Sequence, residues 1–283
     1  MAPLGVVAVI GAVLSILAYS RRPSRSLRVN LQFLLSLLSF ALLWFATSSS
    51  FADEGMMSLP DHMIAHILTM FMIPIGIVGS SFVRSLWWLW SPERRRRVLR
   101  WWYLERTWHA PHWLFHPLTA ALVLNAVMVA SHLPRVFDFM MARTWMMQWL
   151  VEPAFLLSGL FFFHFIVASP PRRNKVRLRY QAIALLVTIF EMLILAMSMS
   201  IFTNAAWYSV MVVHPGMGYM PGMARTASVA FSQQRLAAGI LWICGDGWAI
   251  PCLIAVGFRL VKRDGSLFAA LERQSSRLSG VNG

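Results

Sequence analysis

A chain of 283 residues that is 58% hydrophobic and only 13% charged is not a soluble domain, which averages about 45–50% apolar and about 25% charged residues. The net charge of +14 would suggest nucleic acid, but the cations fall in short links between apolar runs. Four lie in 21–28, seven in 84–106, five in 172–179 and five in 259–277, while the intervening links hold only Arg135, Arg143, Arg225 and Arg235. That alternation is the positive-inside pattern of a polytopic membrane protein, and its basic clusters need no polyanion beyond anionic lipid.

A membrane-crossing helix needs about 20 mainly apolar residues, and seven segments qualify. The first, about Pro3 to Ala18, has no basic residue before it and RRPSR after it. This charge order is opposite to that of a cleaved signal peptide, so a retained span with its N-terminus outside is expected. The second covers Val29 to Thr47, and the link Ser48 to Pro60, with Asp53 and Glu54, lies outside. The third, Asp61 to about Phe82, carries His62, His66 and Met70 on one helical face before Pro74, which removes an amide donor and interrupts the helix.

The following link holds seven of the thirteen tryptophans, between Trp87 and Trp113. Ser91–Pro92 predicts a helix start, and tryptophan mixed with arginine over 92–107 predicts an amphipathic helix on the cytoplasmic surface. The fourth span runs from Pro117 to His132, the fifth from Trp145 to Ala168, and the sixth from Gln181 to Phe202. After the link Thr203 to Ser232, the seventh runs from Gln233 to Leu260, kinked or thinned around Gly245, Gly247 and Pro251. The expected fold is therefore all-α. A seven-helix transmembrane domain occupies 1–262 and a cytoplasmic tail 263–283, with the N-terminus outside and the C-terminus inside.

This topology sets polar residues at defined depths. His62, His66, His132, Glu152, Gln233 and Gln234 come from four spans yet share the outer level, as expected of a site between helices. The outer links add Met56, Met57, Met140, Met141, Met146 and Met147, and the stretch MVVHPGMGYMPGM adds Met211, His214, Met217, Met220 and Met223. Thioether and imidazole suit Cu(I), whereas calcium or magnesium takes clustered carboxylates.

Plainer readings stand beside these. A histidine pair at a helix end can be an interfacial pair, a Met-rich loop can skim the membrane, and Met192, Met197 and Met199 read as packing. His109, His112 and His116 read as interfacial, and His164 as structural. Glu191 and Asp246 fall near the midplane, where an ionised carboxylate is costly. A hydrogen bond between the sixth and seventh spans is the first expectation for them, and a proton or ion pathway the second. Cys244 and Cys252, about 12 Å apart on one helix, cannot bridge each other.

The run HMIAHILTMFMIPIGIVGSSFVRSL, with HPLTAALVLNAVMVASHLPRVFD and SQQRLAAGILWICGD, resembles the CtaG family, assembly factors of caa-type cytochrome c oxidase. The likeness covers Asp61 to Gly247. It implies a seven-span bacterial plasma-membrane protein that serves oxidase formation and supplies copper. By position His62, His66, His132 and the Gln233/Gln234 pair match the family's polar sites. The chain departs from the family where Glu152 precedes Pro153, where Phe163-His164 ends the fifth span, and at Ser232. The resulting expectation is a non-enzymatic factor holding Cu(I) on the periplasmic side. Loop residues His214, Met217, Met220 and Met223 would capture the ion, and His62, His66, His132 and Met70 would hold it for an oxidase subunit. The alternatives are a haem-binding or quinone-linked redox protein using His132 and a third-span histidine, or a proton-coupled transporter using Glu191 and Asp246. Retinal chemistry would need an intramembrane lysine, and the only lysines are Lys175 and Lys262, both in cytoplasmic segments.

Overall fold

Small residues at every third or fourth position decide how the first two helices meet. The computed structural model describes residues 2–23, 25–55, 58–97, 113, 116–167, 178–209 and 226–264. In α1 (Pro3–Ser20) the buried stripe is Leu4, Ala8, Gly11, Ser15 and Ala18, which lets a neighbouring backbone come close. The neighbour is α2 (Leu27–Ser48), whose start is capped by Ser26. A Cβ on Gly11 would overlap the Phe40 ring, and Ser15 and Ser36 join the two helices by a hydroxyl–hydroxyl bond of 2.8 Å. The opposite faces carry Ile10, Leu17, Leu31 and Leu38, all exposed. Apolar side chains turned outward on every long helix, Phe190 and Ile254 among them, are what a lipid-facing surface requires.

The third span, Leu59–Leu89, follows the short α3 (Ser50–Gly55) and comprises several segments. It begins as α4 (Leu59–Ile67), widens into a π turn (Leu68–Met72), and continues as α5 (Ile73–Gly79), α6 (Phe82–Ser85) and a 3₁₀ turn (Leu86–Leu89). Pro74 therefore does not break the helix as expected. It sits at the start of α5, and the chain accommodates the missing amide one turn earlier, where the Ile73 amide donates to the Leu68 carbonyl, five residues back. The Met70 carbonyl, which the amide of residue 74 would take in an α-helix, faces Gly159; a Cβ there would overlap that oxygen and the Pro74 ring. The fifth span repeats the device. After α10 (Thr144–Met146) a π turn (Met147–Val151) precedes α11 (Glu152–Ile166), which has Pro153 in its first turn.

Helix α7 (92–97) starts at Pro92, and the Ser91 hydroxyl accepts from the Arg94 amide at 3.3 Å. The remainder of the helix expected over 92–107 lies outside the described residues. The fourth span is α8 (Pro117–His132), its ends as expected; α9 (Pro134–Met141) leaves it at 76°. The sixth and seventh spans are α12 (Leu178–Ser200) and α13 (Ala227–Asp264). Helix α13 begins six residues before Gln233 and is helical through Gly245, Gly247 and Pro251, the proline standing inside the helix. Among the described residues six helices are long and apolar enough to cross a membrane, seven when the bent α8–α9 pair counts as one. All the described elements are helical, as the composition implied.

Polar side chains tie the spans at both ends. Two of the last carbonyls of α11, left without helical partners, are met by Gln181, which donates to Phe165 at 2.8 Å, and by Arg259, which donates to Ile166 at 2.9 Å. At the other end Gln234 donates to the Met199 carbonyl at 2.8 Å and accepts from the Trp207 amide at 2.6 Å. Gln234→Leu strands both backbone groups, so its thermal unfolding in detergent should report a loss of about 1–3 kcal/mol. An unchanged midpoint would refute the clamp.

Candidate metal centre

Helix α4 starts with Pro60 and Asp61 in its first turn, which suits the positive end of the helix dipole. Its 3.6-residue repeat then stacks His62 over His66, with ring centroids 4.0 Å apart. The rings are buried, His62 3% and His66 8% exposed. The edge of Phe137 meets His62 at 5.2 Å, and Phe155 of α11 meets His66 at 4.3 Å. His132 from α8 lies edge-on to His66, 5.5 Å between centroids. The imidazoles expected to converge from the third and fourth spans are therefore neighbours in one buried cluster.

The bend after His132 explains its cover. Proline disfavours helical geometry in the residue before it, and Leu133 is extended (φ −63, ψ 128) before Pro134. The chain turns, and α9 carries Phe137 across to His62; Met140 and Met141 are buried with it, while Val136 and Phe139 are exposed. Those methionines and Met147, read from the sequence as flanking the outer start of the fifth span, are packed in the core.

Tyr208 completes this cover. Its hydroxyl donates to the His132 carbonyl at 3.1 Å, and its ring stacks obliquely on Phe137, centroids 4.1 Å apart. Burial, reinforced by the Asp138 charge, pushes the phenol above its ordinary value, so the hydroxyl stays a donor. Asp138 fixes the adjoining link by accepting from the Ser209 amide and hydroxyl at 3.1 and 2.6 Å.

The nitrogens of the cluster differ. His132 Nδ1 lies 2.7 Å from the Met128 carbonyl and Nε2 lies 3.4 Å from the Met63 sulfur. Neither ring nitrogen of His66 has a hydrogen-bond partner among the described residues, an arrangement that costs stability in a buried group. Among the described residues no group of three or more histidine, cysteine, aspartate or glutamate side chains is arranged to hold a metal ion. Nitrogen alone therefore does not make the site, whereas a thioether beside imidazole is a donor set for a soft ion.

The other expected residues are distributed differently. Met70 is buried in the first π turn. Glu152 is half-buried one helical turn before Phe155, and its Oε2 lacks a hydrogen-bond partner among the described residues. Gln234 is engaged with backbone, while Gln233 is half-buried beside it. Glu191 does not form the hydrogen bond expected between the sixth and seventh spans, since neither carboxylate oxygen has a partner among the described residues. Asp246 is half-buried within α13. His214, Met217, Met220 and Met223 lie outside the described residues, as do Met56, Met57 and Met211. His116 is a cap, its Nδ1 accepting from the Leu118 amide at 3.3 Å. The pattern reading missed Met63, Phe137, Phe155 and Tyr208. Met63 had a signal, because 59, 63, 66 and 70 follow the helical repeat on one buried face.

A family model described as cytochrome c oxidase caa3 assembly factor (Caa3_CtaG) matches residues 13–263, most of the chain. Comparison with curated proteins and with solved structures returns no match.

Proposed function

Because the chain belongs to the cytochrome c oxidase caa3 assembly factor family, we propose that it serves oxidase assembly by holding Cu(I) as cargo at the histidine end of its bundle. The observation that supports this most directly is the packing of three buried imidazoles from two spans beside a thioether. Water is excluded there, and the donors at hand suit a soft monovalent ion. Arg84, Arg179 and Arg259 stand at the other end of their spans. The positive-inside rule then puts the histidines on the periplasmic side of a bacterial plasma membrane, N-terminus outside and C-terminus inside.

In this reading the ion is captured by His214, Met217, Met220 and Met223, held in the cluster of His62, His66 and His132 with the thioether beside them, and given to an oxidase subunit docked on that side. No bond of a substrate is made or broken, so the role is that of a carrier and not of an enzyme. A haem between His66 and His132 would have to part rings already in edge contact and displace Phe137 and Phe155 from the same cluster.

Full-length protein purified under reducing conditions is expected to retain Cu(I) after desalting. The triple variant His62→Ala, His66→Ala, His132→Ala should retain none, and oxidase copper should fall in cells carrying it. Wild-type protein without copper, together with unchanged oxidase copper in the variant, would falsify the carrier role.

A further inference from the structure

We propose that the Met63 sulfur and His132 Nε2 are the first two ligands of the Cu(I) ion, an inference that rests on the carrier reading and names the donors of its site. Its starting point is the proton on His132. Nδ1 lies 2.7 Å from the Met128 carbonyl oxygen, which can only accept, so Nδ1 carries the hydrogen. The Ser131 hydroxyl, 3.2 Å from the same nitrogen, does not impose the other tautomer. Its own hydrogen is given to the Met128 carbonyl at 2.8 Å.

Nε2 is then a bare lone pair, and what it faces at 3.4 Å is the Met63 thioether sulfur. Neither atom has a hydrogen to give, so the contact is not a hydrogen bond. Both residues are withdrawn from solvent, Met63 0% and His132 2% exposed. Two electron-pair donors held face to face, out of water, have a chemical use when an electrophile takes both. The separation is shorter than the sum of the distances, about 2.0 Å and about 2.3 Å, that nitrogen and sulfur keep to a filled-shell first-row ion. The spacing of the two donors is therefore compatible with one shared ion.

The pair joins two spans, with Met63 on α4 and His132 at the end of α8. His66, beside His132 and with both ring nitrogens lacking partners, is the third donor. One thioether and two neutral imidazoles suit Cu(I) or Ag(I) and do not suit calcium or magnesium.

The test uses detergent-purified full-length protein loaded with Cu(I), read by copper X-ray absorption and by competition with a Cu(I) chelator. Wild type should show a sulfur scatterer in the first shell. Met63→Leu should lose it and bind at least roughly tenfold more weakly, with an unchanged unfolding midpoint. Met63→Cys, which keeps a sulfur donor, should retain the sulfur shell and is the second variant should the leucine form fail to accumulate. Copper held with wild-type affinity and an unchanged shell in Met63→Leu, or a nitrogen-only shell in Met63→Cys, overturns the inference and leaves the carrier reading standing. Wild-type protein that takes up no Cu(I) overturns both.

Discussion

His66→Leu is expected to yield a protein that unfolds at a higher temperature and no longer retains Cu(I). His66 is buried against His62, Phe155 and His132, and neither of its ring nitrogens finds a partner among the described residues. An unsatisfied buried polar group costs about 1–3 kcal/mol, and leucine of similar bulk removes that cost while keeping most of the apolar contact. A thermal melt in detergent should therefore rise by the equivalent of about 1–3 kcal/mol. A residue kept only for packing would behave in the opposite way, because its replacement would loosen the Phe155 contact without compensation. Gain in stability with loss of copper is the signature of a side chain retained at a cost for its chemistry. A melt that falls while copper is retained would assign His66 to the core.

Gly159→Leu is expected to prevent accumulation of folded protein. At this position the third and fifth spans meet backbone to backbone, because Pro74 frees the Met70 carbonyl and Gly159 offers no side chain to obstruct it. A side chain there must displace a carbonyl and a proline ring, neither of which can rotate away. Overpacking costs about 1–3 kcal/mol where neighbours can adjust, and here the rigid neighbours raise it to about 3 kcal/mol or more. The same contact aligns α11 so that Phe155, one turn away, reaches His66. Gly159→Ala, should any of it fold, would report the effect as weakened copper retention. Wild-type yield and midpoint for the leucine variant would show that the spans are not in backbone contact.

The histidine cluster was legible because an i,i+4 pair has one geometry on a helix, and because alternating basic links carry His62 and His132 to the same end. The bounds of α8 were legible for a comparable reason: Pro117 starts it and Pro134 makes Leu133 leave it. What followed that proline was not, since α9 has only eight residues, too few for its apolar repeat to stand out from a connection. Tyr208 reaches the cluster from a link with no periodicity at all, and only a folded chain puts it under His132. The widened turns were half visible. Pro74 announces a missing hydrogen bond but not whether the helix breaks or absorbs it. Met63 is the instructive omission: between two histidines a methionine reads as spacing, and its sulfur gains meaning only from a nitrogen on another helix.

The two π turns have a consequence for how such a protein can change. Each turn holds one residue beyond an α-helical turn, so the halves of the span on either side of it are offset by about 100°. In the third span the half that carries His62, Met63 and His66 lies on one side of this offset, and most of the length crossing the bilayer lies on the other. Loss or gain of a single residue in 68–72 can thus rotate the histidine-bearing half while the long half keeps its neighbours. The proposed copper site and the assembly of the bundle are in this way free to diverge separately along one continuous helix.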